Sequence, residues 1–365
     1  MYDFSFIVAS RNDNHGGNMR EKNIFFINRW LYHVKKYDLN CELIIVDWNS
    51  KIPLRKLIKH PLFKKNQIIK IIQVSNKTHN KFKNSKKINF YQMIAKNVGA
   101  KRANGKFLIF TNIDIIFSEK FLKFLKEKII KHKIIYRTDR HDIDLKELKN
   151  YKISEDEIKK MTTHINTKDY VYSIKENKKI YLRKTFFYIL IYLIRSISSL
   201  IFNSFNKNWH KYKIMNVLKK KTILFIKMFN MNNIRILFDK KLHTNACGDF
   251  TMIDKKSFFK MYGYNEFDGF SWHIDSLLLF KAYYYFKLNF INLKFPIYHI
   301  NHEPGKKYSI NKKISIKKIK DIKLDFINDQ KLFSFIKNYR IKKLHKDDKR
   351  KDWGLAKEKL SIYKI

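Results

Sequence analysis

Cysteine is almost missing from this 365-residue chain: only Cys41 and Cys247 occur, and neither has a nearby cysteine. That excludes a disulfide framework and a zinc knuckle, and it fits a reducing cytoplasm. With 9 Gly and 4 Pro, the chain is neither collagen-like nor a glycine/proline low-complexity polymer. Acid is scarce as well, at 32 Asp+Glu against 78 Lys+Arg, which gives a net charge of +46. Met1-Tyr-Asp-Phe-Ser-Phe-Ile-Val-Ala9 lacks the basic stretch of a signal peptide and reads as a strand. A long uncharged apolar run is also lacking. Phe186 to Phe202 comes nearest, but as a helix it would reach about 25 Å, short of the roughly 30 Å of a bilayer core, and Arg195 sits near its middle. The second half of that run puts Ile194, Ile197 and Ile201 on one stripe opposite Arg195 and Ser199, as a core-packing or interfacial helix does.

What is present is a core's worth of apolar residue, 45% hydrophobic and 16% aromatic, which rules out disorder for the chain as a whole. The charge has two readings. It is either a lysine-rich coding bias on exposed positions or an attraction to polyanions, chiefly an anionic membrane leaflet. A nucleic-acid-binding protein is the alternative from another class. No nucleic-acid module is recognisable, however, and the lysines do not cluster beside stacking aromatics, so nucleic acid is an unlikely partner.

Strand and helix patterns alternate through the first third: Phe4 to Ala9, a helix from Lys22 to Tyr37, Glu42 to Val46, Gln67 to Val74, a helix from Ile88 to Ala103, and Phe107 to Phe110. This predicts an α/β fold with a mostly parallel sheet and helices on both faces. Four segments follow: a first α/β half over 1–135, a basic and largely helical insertion over 136–240 carrying the apolar run 186–202, a second half over 241–310, and a basic helical tail over 311–365. The charged cluster Tyr136 to Asp144 matches no metal-ligand spacing and reads as a solvated loop.

The most informative stretch is Ala95 to Asp114, where a helix, a glycine turn and a buried strand lead to a carboxylate. Ligands of open α/β sheets bind outside the carboxyl ends of the strands, so Asp114 stands where a metal or substrate would be held. Asp47 ends the second strand in the same way, and Arg11 and Asp13 follow the first. Asp275 opens the helix after Phe270-Ser-Trp-His273.

In this order the pieces resemble the GT-A-fold, Rossmann-like glycosyltransferases of the large family-2-like group. The resemblance rests on Phe4 to Ala9, Asp47, Ala95-Lys-Asn-Val-Gly99, Asn104-Gly-Lys106 and Asn112-Ile-Asp114. Ala246 to Tyr264 and Phe270 to Leu277 are similar to the C-terminal part of the galactosyltransferase type. The family's Asp-x-Asp is Asn112-Ile-Asp114 here, and its Glu-Asp pair is His273-Ile-Asp275.

The resemblance implies a glycosyltransferase that moves a sugar from a nucleotide donor to a cell-surface glycan or lipid-linked precursor, at the inner face of the membrane. It implies a divalent ion, Mn or Mg, on Asp114 and on His299 or His302, with Asp275 as the base. It further implies substrate contacts at Arg11, Asp13, Asp47, Asn97, Asn112, Asp249, Trp272 and His273. A nucleotidyltransferase on a related sheet is the remaining alternative, for which Gly16-Gly17 is a weak phosphate loop.

Overall fold

A computed structural model describes residues 1–13, 18–56, 68–181, 242–270, 272–301, 321, 323–345, 348 and 352–364. The apolar run 186–202, His302 and Gly16-Gly17 lie outside the described residues. Among those described, no helix is long and apolar enough to cross a membrane.

The first half runs β1 (Phe4–Ser10), α1 (Met19–Tyr37), β2 (Cys41–Trp48), β3 (Ile69–Val74), α2 (Asn76–His79), α3 (Gln92–Lys101), β4 (Phe107–Thr111), β5 (Ile115–Phe117) and α4 (Glu119–Glu127). Then come β6 (Ile134–Ile143), α5 (Glu155–Lys160), β7 (Thr162–Asn166), β8 (Tyr170–Ser173) and β9 (Lys178–Tyr181). Past residue 241 lie β10 (Phe250–Asp254), α6 (Lys255–Lys260), α7 (Ile274–Phe280), β11 (Asn289–Ile300), α8 (Asp329–Arg340) and β12 (Ser361–Lys364).

These strands form one sheet, in the order β12-β3-β2-β1-β4-β10-β6-β7-β8-β9, with β11 against β5 and β6. Both faces are covered. Phe6, Val8, Leu43 and Ile45 point to the side of α1 and α4, while Ile7, Ala9, Ile44 and Val46 point to the side of α3 and α7. That alternation follows from the strand's two-residue period.

The sheet is mixed, which corrects the mostly parallel one expected. Only β3-β2-β1-β4 and the β6–β11 pair are parallel. β10 runs antiparallel between β4 and β6, and β12 runs antiparallel to β3. The strand-helix alternation behind the expectation stops after β4, and β7, β8 and β9 follow one another through tight turns, a connection open only to antiparallel neighbours. A second correction concerns 136–240. Its described part, 136–181, holds four strands and one short helix, and Tyr136 to Ile143 of the charged cluster lie in β6 rather than in a loop. The described part of the tail holds a helix, α8, and an edge strand, β12.

The Asn104-Gly-Lys106 turn is fixed by a buried charge. Glu42 is fully buried and takes the Ser5 hydroxyl (2.6 Å), the Asn104 N–H and the Lys70 ammonium. The Gly105 N–H in turn donates to Ser5 Oγ at 2.8 Å. A Cβ on Gly105 would lie 2.5 Å from the Phe4 carbonyl carbon and the Ser5 nitrogen, so backbone would have to move. Gly105→Ala is therefore expected to cost about 1–3 kcal/mol, as overpacking does. A thermal melt unchanged from wild type would show that the turn relaxes freely. Gly99 plays a similar part on α3, where a Cβ would sit 2.6 Å from Ile7 Cγ2, so the helix lies close on β1.

Candidate active site

Strand register assembles a polar cluster at one end of the sheet. Phe250 of β10 pairs with Thr111 of β4, which brings Asp249 beside Asn112, and Asn112 Nδ2 donates to Asp249 Oδ1 at 2.7 Å. His299 of β11 pairs with Asp142 of β6 on one side and with Ile115 of β5 on the other. The Ile300 N–H bonds the Asp114 carbonyl at 2.8 Å, fixing His299 next to Asp114.

The His299 ring is held between two carboxylates, with Nδ1 3.0 Å from Asp142 Oδ1 and Nε2 3.6 Å from Asp114 Oδ2. Burial disfavours a charged ring here, yet the charge of Asp114 and hydrogen bonds to Asp114 and Asp142 lift it to about 9. At neutral pH His299 is therefore an imidazolium. Arg140 closes the cluster, with Nε 2.9 Å from Asp142 Oδ1 and NH1 2.5 Å from Asp249 Oδ2. A continuous chain of contacts thus runs from Gln92 through Asn112, Asp249, Arg140, Asp142 and His299 to Asp114.

Asp275 sits in the first turn of α7, and Oδ1 accepts the Ser276 N–H at 2.8 Å. Its Oδ2 lies 3.0 Å from where a Cβ on Gly248 would be, so the missing side chain leaves room for the carboxylate against the backbone. Asp275 thus packs against Gly248, the residue that precedes Asp249 in the chain. Lys96 reaches the same glycine. It is fully buried, and its ammonium donates to the Gly248 carbonyl at 2.5 Å. Burial lowers it to about 8, against the pull of Asp249, Asp275 and Asp114. Asp114 and Asp275, 161 positions apart (275 minus 114), thus act on one buried cation.

The other residues singled out in the sequence fall into two groups. Trp272 and His273 lead into α7, half-buried, with ring centroids 6.0 Å apart. His273 takes a left-handed conformation at φ 63° and its carbonyl accepts the Leu277 N–H and the Ser276 hydroxyl. Arg11 and Asp13 pair at 3.1 Å after β1. The Asp47 carboxylate is turned inward, receiving the Ser50 hydroxyl and the Leu54 N–H, and burial pushes its pKa up against those bonds. Asn97 is likewise internal. Its amide bonds the Tyr264 N–H and carbonyl and reaches Glu266, which pins the 264–266 turn to α3. These two geometries position backbone.

Sequence reasoning missed Lys96, Arg140 and Asp142. A period of two would have put Arg140 and Asp142 on one face of a strand, with Arg137, Asp139 and His141 on the other. That second face also has work to do. Arg137, fully buried, donates to the carbonyls of His243 and Asn245, while Asp139 meets His243 Nε2 at 3.0 Å.

The Asp114 carboxylate and the His299 ring, once an ion displaces the ring proton that faces Asp114, make an oxygen–nitrogen donor pair for a divalent cation. Asp142 on the far ring nitrogen is the usual outer partner of such a histidine. Among the described residues no group of three or more His, Cys, Asp or Glu is arranged to hold an ion, so the pair would need further ligands from substrate or from outside that set.

No protein-family model matches the chain, and no curated protein matches it. Among solved structures it is similar to the crystal structure of GalNAc-T7 with UDP, GalNAc and Mn2+, at a TM-score of 0.40 and 10% identity, covering 84% of this chain and 44% of that one. It is also similar to the crystal structure of a mycobacterial protein, at a TM-score of 0.36 and 7% identity, covering 85% of this chain and 70% of that one. The chain therefore spans less than half the length of the first, and likeness at this level bears on neither activity nor ligand.

Proposed function

We propose that the chain is a GT-A-type glycosyltransferase that moves a sugar from a nucleoside-diphosphate donor to a glycan or lipid-linked glycan acceptor. The observation that carries this reading is the contact chain that joins Asp249, Arg140, Asp142, His299 and Asp114 at the strand ends, with Asp275 against the neighbouring Gly248. Sugar transfer from such a donor needs positive charge at the leaving diphosphate and a carboxylate for the acceptor's proton. The cluster offers both.

Asp275 is the base in this reading. Its Oδ1 accepts the Ser276 N–H in the first turn of α7, and its Oδ2 lies against Gly248. Asp114 and His299 would hold a divalent ion, which when bound supplies charge to the leaving phosphate oxygens. Trp272 offers an aromatic face for a sugar ring beside the base. Arg11 and Asp13, after β1, lie at the strand end where a nucleotide is expected.

The excess of basic residue supports action at an anionic membrane surface, where each nearby Lys or Arg contributes about 1 kcal/mol. The deciding experiment is a panel of nucleotide sugars, each given to the purified protein with Mn2+ and with or without anionic vesicles. Release of nucleoside diphosphate from at least one donor is expected, and co-sedimentation with the vesicles at low salt. Silence across the whole panel rejects the transferase reading, and failure to sediment rejects the membrane part alone.

A further inference from the structure

We propose that Asp268 is a positioning residue for the acceptor side of the site: it clamps the loop that leads to Trp272 and Asp275 onto Asn84 and Tyr91, ahead of α3. The inference rests on the transferase reading above, with Trp272 as the face for the acceptor sugar.

Tyr91 is an anchor whose ring has little freedom. It is buried, stacked on Phe82 at 4.7 Å between ring centroids, with Trp48 edge-on at 5.8 Å and His79 at 5.7 Å. The aromatic group is itself locked, because Trp48 Nε1 donates to His79 Nδ1 at 3.1 Å, which leaves Nε2 to donate to the Ser85 carbonyl at 3.1 Å. From this packing the Tyr91 hydroxyl donates to Asp268 Oδ1 at 2.7 Å. Asn84 adds two contacts: its N–H donates to Asp268 Oδ1 at 3.3 Å, and its side-chain amide donates to the Asp268 carbonyl at 2.7 Å. Residue 268 is therefore held by its carboxylate and by its backbone.

The clamp reaches the chemistry at both of its ends. Past Asp268, the Phe270 N–H donates to the Asp325 carbonyl at 2.9 Å, and Phe270 forms a parallel bridge with Phe326. A Cβ on Gly269 would lie 2.4 Å from that same Asp325 oxygen, so the loop lies directly on the tail. The Trp272 ring follows at 6.1 Å from that of Phe270, and the His273 carbonyl takes the Leu277 N–H at the start of α7, two residues before Asp275. At the other end, Gln92 is the residue after Tyr91, and its amide donates to Asn112 Oδ1 at 2.9 Å. The entry to α3 thus grips the donor end of the site with one side chain and the loop to the base with its neighbour. Release of Asp268 moves Trp272 relative to Asn112 and leaves the Asp114–His299 contact alone.

The test is Asp268→Ala beside Asp268→Asn, which keeps an oxygen for the Tyr91 hydroxyl and the Asn84 N–H. The probes are a nucleotide sugar that the wild type turns over and octyl glycosides of the common hexoses as acceptors. Asp268→Ala should raise acceptor KM about tenfold, with donor KM and acceptor-free donor hydrolysis within about twofold of wild type. Asp268→Asn should restore the acceptor KM. By hydrogen exchange, the Phe270 amide should lose protection about tenfold in Asp268→Ala while the amides of β4 stay as they are. Donor hydrolysis that falls in step with transfer would overturn the inference, because a general loss of packing harms both alike, and so would a Phe270 amide as protected as in wild type. If Asp268→Ala does not fold, Tyr91→Phe removes the hydroxyl alone and should raise acceptor KM about 2–10-fold; no rise there overturns the proposal. A wild type that releases nucleotide from no donor removes the transferase reading and this role with it. A wild type that transfers, beside an Asp268→Ala variant of the same acceptor KM, removes the role of Asp268 alone.

Discussion

Asp114→Ala is expected to reduce turnover of a nucleotide sugar on the order of 10³-fold, the scale seen when a preorganised electrostatic group at a reacting centre is removed. The residue is 7% exposed and follows the central strand β4, where its carboxylate acts on His299 and Lys96. Removing it takes away the charge that contributes most to raising His299, so a second readout accompanies the loss of rate. By proton NMR the His299 ring should titrate at about 9 in the wild type and at lower pH in the variant. Full activity in Asp114→Ala would dismiss this residue from the chemistry. A His299 titration that does not move would dismiss the pairing.

Arg140→Ala should be among the most destabilising single changes at the site. The guanidinium joins Asp142 and Asp249, and the side chains are 13–19% exposed, so truncation takes the shared cation from two buried carboxylates and leaves Asp249 with only the neutral Asn112 amide and Asp142 with His299 and Asn166. Breaking a buried pair in this way costs about 3–5 kcal/mol. The pH dependence identifies the cause. Burial pushes the Asp142 carboxyl up, but the hydrogen bond from His299 and the charge of Arg140 outweigh burial and hold it at about 2. A carboxyl depressed below its unfolded value of about 3.9 stabilises the fold above that value, and the contribution fades as pH falls from about 4 to about 2. Without Arg140 the carboxyl of Asp142 rises and this contribution shrinks. The gap in stability between wild type and variant, from urea melts, should therefore be widest near neutrality and narrow below pH ~4. A gap that is the same at every pH would mean lost packing rather than unpaired charge.

Much of this could be read from residues alone, and what could not has a definite cause. Phe107 to Phe110 is apolar and bounded by a glycine, so the strand and the acid beyond it were legible. β6 was not, because Arg137, Thr138, Asp139, Arg140, His141 and Asp142 put polar atoms on both of its faces and erase the two-residue rhythm that reveals a strand. Its polar residues are buried by partners more than a hundred positions away, at Asp249 and His299. Register between such distant strands leaves no mark in one sequence. Lys96 was hidden differently: in a chain with 78 Lys+Arg, one more lysine on a helix looks like solvated surface. Asp47 shows the converse. Its place at a strand end was plain, but the turn that draws its carboxylate onto Ser50 and Leu54 was not.

The pairing of β12 with β3, Ser361 opposite Gln73 and Lys364 opposite Lys70, has a kinetic consequence. The β-α units made before the tail are left with a raw strand flank, Lys70 to Gln73, until a segment almost three hundred residues downstream arrives to cover it. Closing so long a loop slows the search for the native state, and an unsealed flank invites another nascent chain to pair there instead. Yield of native protein should thus depend on how crowded and how warm synthesis is, more than the stability of the finished molecule would suggest.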